Sequence, residues 1–188
     1  NVAGILADLQ LDIDSIVTGL LHDTVEDTDV TLDDVRREFG DTVASLVDGV
    51  TKIGQMNFRN SFDKQGENIR KMIIAMGKDV RVVLVKLCDR LHNMRTLNHM
   101  PYEKQERIAK ETLEIYCPLA GRIGISELKI ELEDLCFRYY RPDKYYELVQ
   151  TIKKSENETE RYIEDVKKSV VDVLGKTNIK NNFIGKNN

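Results

Sequence analysis

Apolar residues recur at spacings of three and four along almost the whole chain, and that period admits one building block, the α-helix. A strand needs strict alternation, and no convincing run of it occurs before residue 177. Only three prolines interrupt the 188 residues. An all-α fold is expected. The spacing predicts helices over Val2–Leu9 and Ile13–His22, joined by Gln10-Leu11-Asp12. Thr31 and Asp34 form a capping pair for a short helix ending at Gly40, and Asp41 suits the start of the next, Thr42 to about Ile53. Gly54–Gln65 reads as an irregular loop, either a lid or plain surface. Gly66–Met76 reads as a helix closed by Gly77. Asp79 suits the N-cap of a long amphipathic helix, Val80 to about Leu97. Pro101 suits the first turn of another, which should run to Tyr116 and stop before Pro118. Gly121 and Gly124 mark a break, after which Ser126 should cap a helix to Tyr140. Pro142 opens a highly charged helix to about Leu174, read as a solvated face or an element of interdomain signalling. The Asn-rich tail, Lys176–Asn188, reads as loop or strand start.

Composition narrows the function classes. Hydrophobic residues make up 41% and charged residues 32%, enough to bury a core. The formal net charge is −4, so no global basic field points to direct nucleic-acid binding. No apolar run approaches the roughly 18 residues of a membrane span, and no signal peptide is visible, so a cytoplasmic protein is expected. Cys88, Cys117 and Cys136 are too few and too widely spaced for a disulfide framework or a zinc knuckle, and read as buried thiols. The chain opens mid-pattern at Asn1-Val2-Ala3 without an initiator Met, as expected of a piece cut from a longer protein.

The informative stretch is His22-Asp23-Thr24-Val25-Glu26-Asp27. Two strong metal ligands stand side by side, and a second acidic pair follows four residues later. On a continuous helix, His22 and Glu26 would share one face, Asp23 and Asp27 the next. Carboxylates crowded this closely repel unless a cation neutralises them. The stretch also follows the apolar run Ile16–Leu21, which places it at the rim of a core. Further ligands must come from elsewhere. In Lys86-Leu87-Cys88-Asp89-Arg90-Leu91-His92-Asn93-Met94-Arg95-Thr96, the residues Val82, Val85, Lys86, Asp89, Asn93 and Thr96 line one side of a helix. Asp89 is an acid in a core-facing stripe, a costly position unless a partner or a metal satisfies it. The blander readings are a polar cap at His22-Asp23, an ion pair of Asp89 with Arg90 or Arg95, and ordinary polar groups on the helix surface at Asn93 and Thr96. His92 reads as a packing or surface residue, and His99 has no assigned role.

Consecutive His-Asp with a distant Asp resembles the HD phosphohydrolase superfamily. A narrower resemblance covers nearly the whole chain. His22 to Thr28, Val50-Thr51-Lys52-Ile53, Glu67-Asn68-Ile69-Arg70-Lys71-Met72 and Lys86 to Thr96 resemble, in order, the hydrolase domain of the RelA/SpoT family. Ile123-Gly124-Ile125-Ser126 and Glu131-Leu132-Glu133-Asp134-Leu135 resemble that family's connector into its synthetase domain. The resemblance implies an HD-type helical hydrolase domain over residues 1–118, a helical connector over 119–175 and the start of a synthetase domain, present in cis, over 176–188.

It also implies chemistry. One Mn²⁺ would be held by His22, Asp23 and Asp89, and a mixed imidazole–carboxylate set suits that borderline ion. The fourth ligand would be the His of a His-Pro-x-x-Val-Ala segment, three residues before Asn1, so this stretch alone should lack it. Glu26 and Asp27 match the family's catalytic acidic pair, which orients a metal-activated water and takes up its proton. The substrate would be (p)ppGpp, and the products pyrophosphate and GDP or GTP. Asn93 and Thr96 match nucleoside contacts. On charge grounds Lys52, Lys71, Lys86 and Arg95 are candidate phosphate contacts. The parent would then be a bifunctional (p)ppGpp synthetase (GTP pyrophosphokinase) and 3′-pyrophosphohydrolase of the bacterial stringent response. Two rivals stand beside this reading, an HD phosphohydrolase for another nucleotide and a catalytically silent domain that binds nucleotide and regulates a synthetase.

Overall fold

A computed structural model describes residues 2–54, 74 and 77–175. The expected loop after Gly54, the helix Gly66–Met76 with Lys71, and the tail 176–188 lie outside the described residues. Among those described, every regular element is a helix. They fall into two compact units, Asn1–Tyr140 and Arg141–Asn188, and the boundary expected near residue 118 lies inside the first.

The first unit opens with α1 (Val2–Asp8) and α2 (Ile13–Leu21). Between them Gln10 takes a positive φ of 57° to reverse the chain, and Asp12 caps α2 by accepting a 2.9 Å bond from the Ser15 amide. A short α3 (Thr24–Asp27) follows His22-Asp23 directly. Thr31 and Asp34 exchange backbone and side-chain bonds in the expected capping box, which starts α4 (Leu32–Gly54). The break expected at Gly40 is a kink within α4: Gly40 alone leaves helical geometry, at φ 87°, and the helix resumes at once.

Helix α5 (Val80–Arg95) is the hub, capped as expected by Asp79 through a 3.0 Å bond from the Arg81 amide. It packs against α1, α2 and α4 and also against the closing helix Ser126–Tyr140 and the π turn Thr112–Tyr116. Val82, Val83, Val85, Leu87, Cys88, Leu91 and Met94 are buried along it and join Leu6, Leu46, Val50 and Ile53 in the main core. Gly49 makes the α4–α5 contact close, for a Cβ there would stand 2.8 Å from Val82 Cγ2. A smaller core of Val35, Val43, Ala44 and Val47, with Val17, Leu21 and Val25 against it, seats α3 beside the end of α2.

After a 3₁₀ turn at Leu97–His99, α6 (Tyr102–Glu111) leads into a π-helical turn, Thr112–Tyr116, and then α7 (Cys117–Ile123). The helix expected to stop at Tyr116 therefore continues through Pro118. Proline lacks an N–H and its ring collides with the carbonyl four residues back. The wider π turn immediately before it relieves both demands, which a strict helical register would not. Gly124, at φ 88°, ends α7 in the left-handed conformation. Helix α8 (Ser126–Tyr140) begins at Ser126 itself, with its first backbone bond running from Lys129 to Ile125, so Ser126 is the first helical residue and not the cap. It closes the core with Leu128, Leu132, Cys136 and Tyr139. All three cysteines are free and buried, as expected.

The second unit is described over α9 (Pro142–Gly175), whose charged sequence leaves its described side chains exposed or half-buried, Tyr146, Leu148, Ile152 and Tyr162 among them. No helix among the described residues is long and apolar enough to cross a membrane.

Candidate active site

The site forms where the C-terminus of α2 meets the middle of α5. Helix α2 ends at Leu21, so His22 and Asp23 occupy the turn into α3 and are not stacked on one continuous helical face. That turn lets both side chains reach the same place. The His22 ring donates through Nδ1–H to the Gly19 carbonyl at 2.9 Å, for a carbonyl has no proton to give. The other nitrogen, Nε2, then faces two carboxylates, Asp23 Oδ2 at 2.9 Å and Asp89 Oδ1 at 3.5 Å. A nitrogen set between two carboxylates favours a cation there, whether a proton or a metal ion. Burial opposes protonation of His22, but hydrogen bonding to Asp89 and the charges of Asp23 and Asp89 outweigh it and raise the imidazole above its usual range.

Asp89 is 7% exposed, the one buried charged residue among those described. It pairs with neither Arg90 nor Arg95. Its Oδ2 accepts a 2.8 Å bond from Lys86 Nζ and its Oδ1 a 2.9 Å bond from Asn93 Nδ2. These are the residues one turn before and one turn after it, so a single helical face supplies the acid and both donors. Burial pushes the Asp89 carboxyl up, yet His22 and Lys86 together hold it well below the usual carboxylate range. Lys86 is reciprocally affected: burial lowers its ammonium, and Asp89 more than offsets this.

The acidic pair lies at the same mouth. A Cβ on Gly54 would stand 3.1 Å from Glu26 Oε1 and 3.6 Å from Lys86 Nζ, so the end of α4 brings the exposed Glu26 carboxylate and the Lys86 ammonium to one bare stretch of backbone. The glycine is what leaves them room. Asp27 is exposed on α3 beside it. Thr96 caps α5 two turns from Asp89, with Oγ1 donating to the His92 carbonyl at 3.1 Å.

Two sequence candidates are held elsewhere. Lys52 is exposed and pairs with Asp48 on its own helix. Arg95 makes a bidentate pair with Glu131 of α8, at 2.6 and 2.7 Å, on a side of α5 away from Asp89. His22, Asp23, Lys86, Asp89 and Asn93 are joined by contacts, with Glu26 at their edge. Among the described residues no group of three or more His, Cys, Asp or Glu forms a ready-made metal cage. In place of open donors, the carboxylate oxygens are bonded to Lys86, Asn93 and His22. The donor set, one imidazole with its far nitrogen anchored and two carboxylates, nonetheless has the chemistry that divalent cations take.

Comparisons agree with this architecture. A family model described as HD domain matches residues 1–126. A GTP pyrophosphokinase of Myxococcus xanthus is 54% identical over 189 residues, which cover 99% of this chain and 25% of that protein. A guanosine-3′,5′-bis(diphosphate) 3′-pyrophosphohydrolase of Haemophilus influenzae is 48% identical, covering 90% of this chain and 25% of its own length. The bifunctional (p)ppGpp synthase/hydrolase SpoT of Escherichia coli is 46% identical, with 88% and 24% covered. The chain thus spans about a quarter of the length of these curated relatives. A 1.85 Å crystal structure from Listeria monocytogenes EGD-e superposes with a TM-score of 0.53 at 25% identity, over 75% of this chain and 97% of that one. With a helical core, adjacent His22 and Asp23 at a helix end and Asp89 opposite them, this chain belongs to the HD domain family.

Proposed function

We propose that this chain is the hydrolase region of a bifunctional (p)ppGpp synthetase/hydrolase, a cytoplasmic metal-dependent enzyme that removes the 3′-pyrophosphate from (p)ppGpp and leaves GDP or GTP. The observation that carries the reading is the convergence of His22 and Asp23 with the buried Asp89, beside Glu26 and Lys86. Relatives named as pyrophosphohydrolases and pyrophosphokinases along nearly all of this chain support the substrate class.

His22, Asp23 and Asp89 would hold the cation, which we take to be Mn²⁺. When bound, such an ion acidifies water and offsets charge on phosphoryl oxygens. The chain's own groups do the rest. The Gly19 carbonyl fixes the His22 tautomer so that Nε2 points into the site. Asn93 and Lys86 hold the Asp89 carboxylate in one orientation. Glu26, with Asp27 beside it, would orient the attacking water and take its proton. The Lys86 ammonium would meet the phosphate oxygens. Asn93 and Thr96, on successive turns of α5, would meet the nucleoside. Lys52 and Arg95 would need to leave Asp48 and Glu131 to reach phosphate. The synthetase domain would act in cis.

The test is pyrophosphate release from ppGpp with Mn²⁺ by the full-length protein, beside an Asp89→Ala variant and an EDTA-treated sample. Release that vanishes in both controls is the expected result. Tight ppGpp binding without release would indicate a silent nucleotide sensor. Equal turnover of nucleotides lacking a 3′-pyrophosphate would indicate a different phosphohydrolase.

A further inference from the structure

Beneath the site lies a second polar cluster that the reaction outlined above does not use. Arg90 follows Asp89 on α5, and its guanidinium is 15% exposed. It donates through Nη2 to Glu111 Oε1 at 2.6 Å and to the Tyr116 hydroxyl at 3.0 Å, while its Cζ lies 4.2 Å from the centre of the Tyr116 ring. Tyr116 is wholly buried. It closes the π turn Thr112–Tyr116, and Glu111 immediately precedes that turn. A π turn carries extra residues around the axis, so it rotates the side chains at its end relative to a regular helix. The partners of Arg90 are thus the last residue of the π turn and the residue just before it.

The cluster adjoins the site through Lys86. Lys86 and Arg90 stand four apart on α5, two like charges on one face that repel each other. With Arg90 drawn to Glu111 and Tyr116, the Lys86 ammonium is left to Asp89 Oδ2 and to the mouth beside Gly54 and Glu26. We propose that Tyr116 is a positioning residue for the Lys86–Asp89 pair, its hydroxyl and the Glu111 carboxylate holding Arg90 away from that pair. The proposal rests on the reading of His22, Asp23 and Asp89 as cation ligands. In that reading an Arg90 released from Tyr116 and Glu111 would bring a second positive charge towards Asp89 and work against the cation there.

The experiment uses the full-length protein with Tyr116→Phe and, separately, Glu111→Gln. Mn²⁺ affinity is measured by electron paramagnetic resonance of the free ion, kcat and KM with ppGpp at saturating Mn²⁺, and folding by thermal melting. Changes behind a metal ligand commonly cost about 10-fold in metal affinity or activity. A folded Tyr116→Phe protein should therefore bind Mn²⁺ about 10-fold more weakly and turn over more slowly, with KM for ppGpp nearly unchanged. Glu111→Gln should shift both in the same direction. Variants that melt earlier but keep wild-type Mn²⁺ affinity and kcat would overturn the proposal and leave the cluster a packing device. A wild-type protein that binds Mn²⁺ yet leaves ppGpp intact would sink the hydrolase reading, and the Mn²⁺ affinities alone would then decide the role of Tyr116. A wild-type protein that takes up no Mn²⁺ would overturn both.

Discussion

Asp89 has three neighbours for two oxygens. Lys86 and Asn93 bond it directly, and His22 approaches at 3.5 Å. Truncation to alanine would leave the Lys86 ammonium buried without its counter-charge. Breaking a buried pair from one side costs about 3 kcal/mol at the lower end of what such pairs show, and this pair, only slightly exposed, belongs at that end. Urea unfolding of Asp89→Ala should show that loss together with lost activity. Asp89→Ala with Lys86→Met should recover much of the stability and none of the activity. Full stability in the single variant would mean that Lys86 finds another partner. Asp79 gives a cleaner pH signal, far from the site. Hydrogen bonding from the Arg81 side chain outweighs burial and, with the Arg81 amide, holds its carboxyl below the ordinary 3.8. A depressed folded-state value means that the stabilisation is present above the unfolded value and fades as pH falls through the folded one. Asp79→Ala should therefore lower stability by about 1 kcal/mol at pH 7. At a pH below the folded-state value of Asp79, the two proteins should converge. A gap that persists in acid would mean that Asp79 acts through packing and not through its charge.

At the scale of the element, α5 shows what a local pattern can and cannot carry. The stripe Val82, Val85, Lys86, Asp89, Asn93 places the acid and its two donors on one face, and the i,i+3 and i,i+4 spacings already contain those contacts. The caps at Thr31–Asp34 and Asp79 were legible for the same reason, since each is satisfied within three residues. The Arg95–Glu131 pair was not, because its partner lies 36 positions away on α8. Nor was the helix beyond Tyr116. A proline predicts a stop from the strain that it imposes, and whether a π turn relieves that strain depends on what waits on the neighbouring helix, here Arg90. The α4–α5 contact offers a test of packing at this scale. Alanine at Gly49 gains about 1 kcal/mol of helix propensity but forces a methyl against Val82, and overpacking of this kind costs about 1–3 kcal/mol. Gly49→Ala should come out destabilised on urea titration. Paired with Val82→Ala, it should cost less than the two single changes summed. Strict additivity would show that α4 and α5 shift apart without strain.

For the molecule as a whole, the cation links chemistry to stability. The residues proposed to hold it come from two places far apart in the chain, the α2–α3 turn and the middle of α5. Neither place alone makes a site, so the unfolded chain should bind the ion far more weakly than the folded one, and binding must then stabilise the fold. At a hundredfold excess over Kd the gain is about 2.7 kcal/mol. For a unit of this size that corresponds to a rise in Tm of about 5–10 °C. Full-length protein should show this rise with Mn²⁺ and lose it with EDTA. Asp89→Ala, already less stable, should show no response to Mn²⁺ at all. Hydrogen exchange should locate the gain in α2, α3 and α5, because the ion would tie exactly those three together. A Tm rise that survives in Asp89→Ala would place the ion elsewhere and remove the link between the buried carboxylate and the metal.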